Sequence, residues 1–443
     1  MEENEVIRNW FLRNQDELKR FNLSVWSDPE LSLQEYVACR NTADFLDRHG
    51  FRVETFNLLE DDSRANTVIG CWGSGKPVIA YLGELDALPE LGQEAVPFKS
   101  KIEGPGHGCG HSMMLSAGLA GAAALKEILN KEHLEGTVIF MGCPGEEVLR
   151  GKKDMIEKGC FKDVDVCFNW HPQPFDPKPS EWAMQACVSL RVTFAGKAVH
   201  AVFSHEGRSA LDAAELCNVG VQYLREHLTK DVMMHYVYLE GGAKANIVPE
   251  RAVLSYMIRA KNSRSVEDAV RRFKLVCEGA AMMTETRVIV DEISGASSTL
   301  VNHTLNRFVY QSGKKIPEIV YDDNEEVFAR ELYKAIYPGE KIPERVLPNG
   351  ISEPVGITVE APGSTDMSDV SRIIPTIQLF GGGMLLGTTL HHWGVTAVGG
   401  SSIGFKSSMY AGRIMAQSGY DIIKNPAVVE EFWDELRRSD NND

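Results

Sequence analysis

Apolar positions in the first fifty residues recur at helical spacing. Val6, Trp10, Phe11, Leu18 and Phe21 mark one face of a first helix, and a second is expected from Ser32 to a stop at Gly50. The pattern then changes. Residues 77–82 (PVIAYL), 137–141 (TVIFM) and 164–170 (VDVCFNW) are short, nearly continuous apolar runs, and a small-residue helix is expected at 113–129. Strands without polar alternation, separated by helices, predict a sheet covered on both faces and largely parallel.

From residue 188 the order is different. A strand at 188–194 precedes a helix at 209–227, strands at 232–239 and 247–258, a helix at 266–282 and a strand at 286–291. That βαββαβ order predicts a ferredoxin-like module of about 110 residues. A stretch punctuated by Pro338, Pro343, Pro348, Gly350, Pro354 and Pro362 follows, then a strand at 376–380 and a helix from 403. The fold class is therefore α/β: residues 1–185 and 296–443 form a mostly parallel main domain, with 186–295 inserted into it. Residues 439–443 are expected to fray.

Composition narrows the function classes. With 443 residues, 43% hydrophobic and 24% charged, the chain reads as globular with at least two cores. A net charge of −16 repels phosphate backbones and anionic lipid, which argues against nucleic-acid and membrane-surface partners. The longest apolar stretch, 113–125, falls short of the roughly 18 residues a membrane span needs. The opening Met-Glu-Glu-Asn-Glu has neither the basic nor the apolar region of a signal peptide. Nine cysteines, an odd number without any Cys-x-x-Cys, argue against a disulfide framework. A cytoplasmic, reduced protein is expected.

The chemistry-bearing residues gather just after the buried strands, where α/β sheets hold their ligands. The first strand runs into Glu84-Leu85-Asp86. Gly106-His107-Gly108-Cys109-Gly110-His111 immediately precedes the small-residue helix. The second strand runs into Pro144-Gly145-Glu146-Glu147, and the third into His171-Pro172. His391-His392 follows a Gly-rich turn near the C-terminus. Taken singly, each has a plain structural explanation: a packed cysteine, a tight glycine turn, a solvated acid pair. The glycines do not match the dinucleotide fingerprint, which needs strand, helix and downstream acid in register. Recurrence of Cys, His and Glu at successive strand ends shifts the balance to a metal site; if Glu147 is a ligand, Glu146 can point at the metal-bound water as general base.

Together GHGCGH, PGEE, NWHP, GSTDMSDVS and GTTLHHW resemble the co-catalytic metallopeptidase family of carboxypeptidase G, aminoacylase and hippurate hydrolase. Within it, the chain is similar to the amidohydrolase branch that uses Cys-Gly-His. The resemblance runs from about Trp26 to Ala416, and includes AGKAVHA, GRSALDA, ANIVPE and EGAAMMTET. It implies that Cys109 bridges two divalent ions, Mn²⁺ or Zn²⁺, with His111, Glu147, His171 and His391 as further ligands and Glu146 as the base. His391 is preferred to His392 because it follows the family's Gly-Thr-x-Leu step. Asp86 would orient a ligand histidine, and Glu84 stands where relatives often carry Asp or a ligand histidine. The inserted module would serve as lid and dimerisation domain. His200 would reach the scissile carbonyl across the dimer, and Asn246 and Arg259 would bind substrate oxygens. The sequence departs from the family at Ser112, where Asp or Asn is common, and at Gly145, where Ala is common.

The implied reaction is hydrolysis of an N-acyl or N-aroyl amino acid, with p-aminobenzoyl-glutamate the nearest candidate. The alternatives are a small-dipeptide dipeptidase and a non-catalytic partner subunit; intact Glu146 and a complete ligand set weigh against the second. A homodimer, or a heterodimer with a paralogous subunit, is expected.

Overall fold

The computed structural model describes residues 2–440, which divide into two compact units. The larger comprises residues 2–182, 300–359 and 370–440; the smaller comprises Ala183–Thr299 and Glu360–Asp369.

The large unit is built on six strands in the order Arg52–Phe56, Thr67–Ser74, Gly136–Cys143, Val78–Glu84, Val166–Pro179 and Thr376–Gly383. The last four run parallel, as their apolar sequences predict. The first two are antiparallel additions at one edge. They escape the sequence reading because Arg52–Phe56 is mostly exposed and the Thr67 strand ends on glycine and serine.

Helix Glu5–Trp26 begins at Asn4, whose side chain accepts from the Val6 amide at 2.8 Å. The second helix starts at Tyr36 rather than Ser32. The Glu30 carboxylate accepts from the Val37 and Ala38 amides at 2.9 Å, fixing the helix start from outside, while residues 32–35 form an irregular link. Helix His111–Glu132 is buried on nearly every face among Ile79, Phe140, Tyr410 and Ile414, at roughly 1.5–3 kcal/mol for each large apolar side chain enclosed. It is long and apolar enough by composition to cross a membrane; here that character belongs to a core helix. The expected fraying from 439 is not seen at Ser439, which continues helix Val428–Asp440; residues 441–443 lie outside those described.

The small unit has the βαββαβ order: strand Ala186–Ala195, helix Ala210–Arg225, strands Met233–Glu240 and Arg251–Ala260, helix Ser263–Thr284 and strand Arg287–Ala296. Its four strands are all antiparallel, with Arg287–Ala296 and Met233–Glu240 at the edges. Val192, Phe194, Leu254, Tyr256 and Phe273 fill a core of its own. Segment Glu360–Asp369 belongs to this unit through hydrogen bonds from the Gln185 amide to the Gly363 carbonyl (2.8 Å) and between the Thr299 and Ser368 hydroxyls (2.7 Å). Sequence patterning gives no sign of that segment's return.

Candidate metal centre

The parallel register sets the site. Glu84 pairs with Cys143, and His171 with Phe380, so the strand leading to Asp86, the strand leading to Glu146 and Glu147, and the strand carrying His171 bring these residues to one edge. Gly110, with φ of +90°, then starts helix His111–Glu132. Any side chain there would be strained by that φ and would collide with Pro172, so glycine brings Cys109 and His111 to the same place.

Donor atoms converge in three overlapping groups, each within 4.8 Å: Cys109, His111 and His171; Cys109, Glu147 and His391; and Glu84, His111 and Glu146. Cys109 Sγ lies 3.3 Å from His171 Nε2. Glu147 Oε2 is 3.5 Å from His391 Nε2, and its Oε1 is 3.8 Å from His111 Nε2. Glu146 Oε2 is 3.9 Å from the same nitrogen. All six metal-site residues read from the sequence are thus brought together.

Asp86 ties the arrangement. His111 Nδ1 donates to the Asp86 backbone carbonyl (2.9 Å) and to its Oδ1 (3.0 Å), which turns Nε2 towards the cluster. Asp86 Oδ2 accepts from the Glu147 amide (2.9 Å) and from Ser32 Oγ (2.7 Å). Burial alone would raise this carboxyl, but the hydrogen bond and charge of His111 outweigh it and hold the pKa at about 2. Burial lowers His171 to about 4; its Nδ1 donates to the Pro172 carbonyl at 2.7 Å, leaving Nε2 as a neutral donor atom for a cation. Burial also opposes the charged form of His111, yet Cys109, Glu84 and Asp86 hold its pKa well above the ordinary value. Burial pushes the Cys109 thiol up, and a bound cation is what would ionise it. Glu147 is likewise raised by burial.

Glu35 had no place in the sequence reading. Buried at the start of the second helix, it accepts from the Leu33 and Gly145 amides, both at 2.7 Å, and so braces the loop carrying Glu146 and Glu147. Burial, then the charge of Asp86, raises it to about 8. Gly145 has φ of +64°, a backbone that favours glycine over the family's alanine. Neither residue sends a signal readable from spacing, because the partners lie 110 positions apart.

His391 also has a left-handed backbone (φ +54°), an uncommon conformation for a non-glycine residue, and its amide donates to the Gly108 carbonyl at 3.0 Å. His392 is instead an N-cap, with Nδ1 accepting from the Gly394 amide at 3.1 Å. In the small unit, His200 and Asn246 are exposed neighbours: the Ala201 amide donates to the Asn246 carbonyl at 2.9 Å, and His200 caps helix Ala201–Glu206. Arg259 is not with them. It pairs with Cys187 at the far end of strand Arg251–Ala260, about 26 Å along the strand from Arg251.

The residues present fit a divalent cation pair. Soft, imidazole and carboxylate donors mix, and two buried donor atoms, His111 Nε2 and Glu147 Oε1, have no hydrogen-bond partner among the described residues.

The family model described as peptidase family M20/M25/M40 matches residues 80–392. A p-aminobenzoyl-glutamate hydrolase chain from Escherichia coli, one of that enzyme's subunits, is 33% identical over 93% of this chain and 90% of its own length. An Xaa-Arg dipeptidase of Mus musculus is 27% identical over 95% of this chain and 89% of its own. Among solved structures, an aminobenzoyl-glutamate utilization protein from Klebsiella pneumoniae shares the fold with a TM-score of 0.63 at 18% identity, over 91% of this chain and 98% of that one. A dinuclear metal binding peptidase of the M20 family from Bacillus subtilis does so with a TM-score of 0.60 at 18% identity, over 93% and 99%. The chain belongs to peptidase family M20/M25/M40, and its catalytic class is metal-dependent amidohydrolase.

Proposed function

We propose that the protein hydrolyses the amide bond of N-acyl or N-aroyl amino acids, p-aminobenzoyl-glutamate foremost, with two divalent ions held by Cys109, His111, Glu147, His171 and His391. The convergence of these donors around Glu146 supports the reading more than any other observation. Cys109, which belongs to two of the donor groups, would help hold both ions, and Mn²⁺ and Zn²⁺ both suit the donor set. When bound, such ions polarise an amide carbonyl and acidify water at neutral pH.

The chain's own residues supply the proton path and the positioning. Glu146 takes the proton from the attacking water and returns it to the leaving amine nitrogen, so that a carboxylic acid and an amino acid depart. Asp86 keeps His111 in the tautomer that offers Nε2. Arg259 binds the free carboxylate of the amino-acid half through its planar fork. His200 donates to the carbonyl oxygen as charge develops there, and Asn246 assists.

His200 and Asn246 are proposed to act on the other subunit of a dimer, either a second copy or a paralogous chain. Strand Met233–Glu240 supports a pairing surface: it is a sheet edge with Val237 and Leu239 exposed, and helix Ala210–Arg225 exposes Val219 and Tyr223. A cytoplasmic location suits nine free cysteines.

A dipeptidase reading is kept because the Mus musculus relative matches over nearly the whole chain. The test is turnover by the full chain, stripped of metal and reloaded with Mn²⁺, Zn²⁺ or Co²⁺. p-Aminobenzoyl-glutamate and other acyl-amino acids should be cleaved faster than dipeptides. The reverse preference would establish the dipeptidase, and no turnover of either would overturn both readings.

A further inference from the structure

Strand Val78–Glu84 ends on a carboxylate that none of the roles above uses. Glu84 is buried, and its Oε1 accepts from Nζ of the equally buried Lys152 at 2.7 Å. Lys152 belongs to helix Gly151–Glu157, which follows the Glu146–Glu147 loop. Two ionised groups taken out of water are costly unless each polar atom is satisfied. The lysine engages only one of the two carboxylate oxygens.

The other oxygen is the informative one. Glu84 Oε2 has no hydrogen-bond partner among the described residues, and neither has His111 Nε2, which faces it at 3.2 Å. A protonated His111 faces Glu84 as an ion pair, but the geometry makes no hydrogen bond between the two atoms. A cation satisfies both. Neighbouring donors on one ion, each roughly 2.1 Å from it, lie about 3.0–3.4 Å from each other. Glu146 completes the same group of donor atoms within 4.8 Å.

We infer that Glu84, oriented by Lys152, is an additional ligand to the divalent ion held by His111. Lys152 acts through it as a positioning residue: the ammonium fixes one oxygen and aims the other. The inference rests on the dinuclear site proposed above, and its test reads metal binding rather than turnover. A purely structural tether between sheet and helix is the competing account.

The experiment titrates the metal-free full chain with Co²⁺, following affinity by competition with a chromophoric chelator and coordination by the visible absorption bands. The wild-type chain should take up two ions. In Glu84→Gln, one ion should bind roughly 10–100-fold more weakly with the other unchanged, and the absorption bands should shift as a carboxylate leaves. Should Glu84→Gln fail to fold with no carboxylate at position 84, the double variant Glu84→Gln/Lys152→Met removes both charges and carries the same expectation. Two ions at wild-type affinity with unaltered bands in the folded variant would overturn the inference and leave the dinuclear site standing. A wild-type chain that takes up fewer than two ions would overturn the dinuclear site and this inference with it.

Discussion

The two units hold their functional groups in contrasting ways. In the large unit most of the groups are buried or half-buried, with His391 exposed at the rim, and hydrogen bonds from other loops position them, as Asp86 positions both His111 and Glu147. In the small unit His200 and Asn246 stand exposed on loops, and Arg259 sits at the opposite end of its strand. The proposed ligands all come from one chain, and hydrogen bonds hold His111 and Glu147 in place without an ion. On the proposed shared site, the contrast separates what one chain does alone from what it does in company.

Replacing Glu146 by Gln should break the large unit's chemistry most severely. Turnover should fall by roughly 10²–10⁴-fold while metal content stays at the wild-type level, because an amide cannot accept the water's proton. Near-full activity with metal bound would remove Glu146 from its role. Mixing this variant with inactive His200→Ala under subunit exchange sharpens the comparison. If His200 serves the other subunit, mixed dimers hold one site with both residues intact, and part of the activity should return. Exchange verified by mass with no recovery would place His200 in its own chain's site.

Asp86→Asn should weaken metal binding by roughly 10–100-fold, measured by chelator competition, since it removes the charge that fixes His111 and receives the Glu147 amide. Unchanged affinity would show that backbone contacts alone hold the cluster. In the small unit, Val237→Lys puts a charge on the exposed edge strand. Sedimentation should show more monomer with metal content untouched; an unaltered dimer would move the interface elsewhere.

A pH-dependent effect on stability concerns Glu35. Its folded pKa of about 8 lies above the ordinary 4.5, so the folded chain keeps a proton that the unfolded chain has released. The associated stability is fully present below about pH 4.5 and is lost as pH rises through about 8, at no more than roughly 1.4 kcal/mol per pH unit. Glu35→Gln keeps an acceptor for the Leu33 and Gly145 amides and does not titrate. Its urea midpoint should change less between pH 5 and pH 8 than that of the wild type, and parallel curves would count against a protonated Glu35.

Much of this was legible along the chain because local patterns fixed it. Continuous apolar runs marked the parallel strands, and the βαββαβ order marked the small unit's elements. Cys109, His111, Glu146, Glu147, His171 and His391 stood at strand ends or beside glycines, where side chains converge. Other features rest on long-range pairing that no spacing reveals. The Glu84–Lys152 ion pair joins positions 68 apart, and the Glu35–Gly145 contact joins positions 110 apart. The antiparallel edge strands carry little hydrophobic signal because water reaches them. Segment Glu360–Asp369 joins the small unit through hydroxyl and backbone hydrogen bonds rather than through an apolar stripe.

The first thirty-five residues show where such a protein can be cut. The family model begins to match only at residue 80, yet the Val25 carbonyl accepts from His107 Nε2 at 3.2 Å. Ser32 donates to Asp86, the Ala87 amide donates to the Glu30 carbonyl at 2.7 Å, and Glu35 receives the Gly145 amide. A fragment trimmed to the matching span would keep every proposed metal ligand and shed the buttress that aims them. Truncation libraries and domain shuffling should therefore carry the amino-terminal helices along with the metal loops, as a single heritable part.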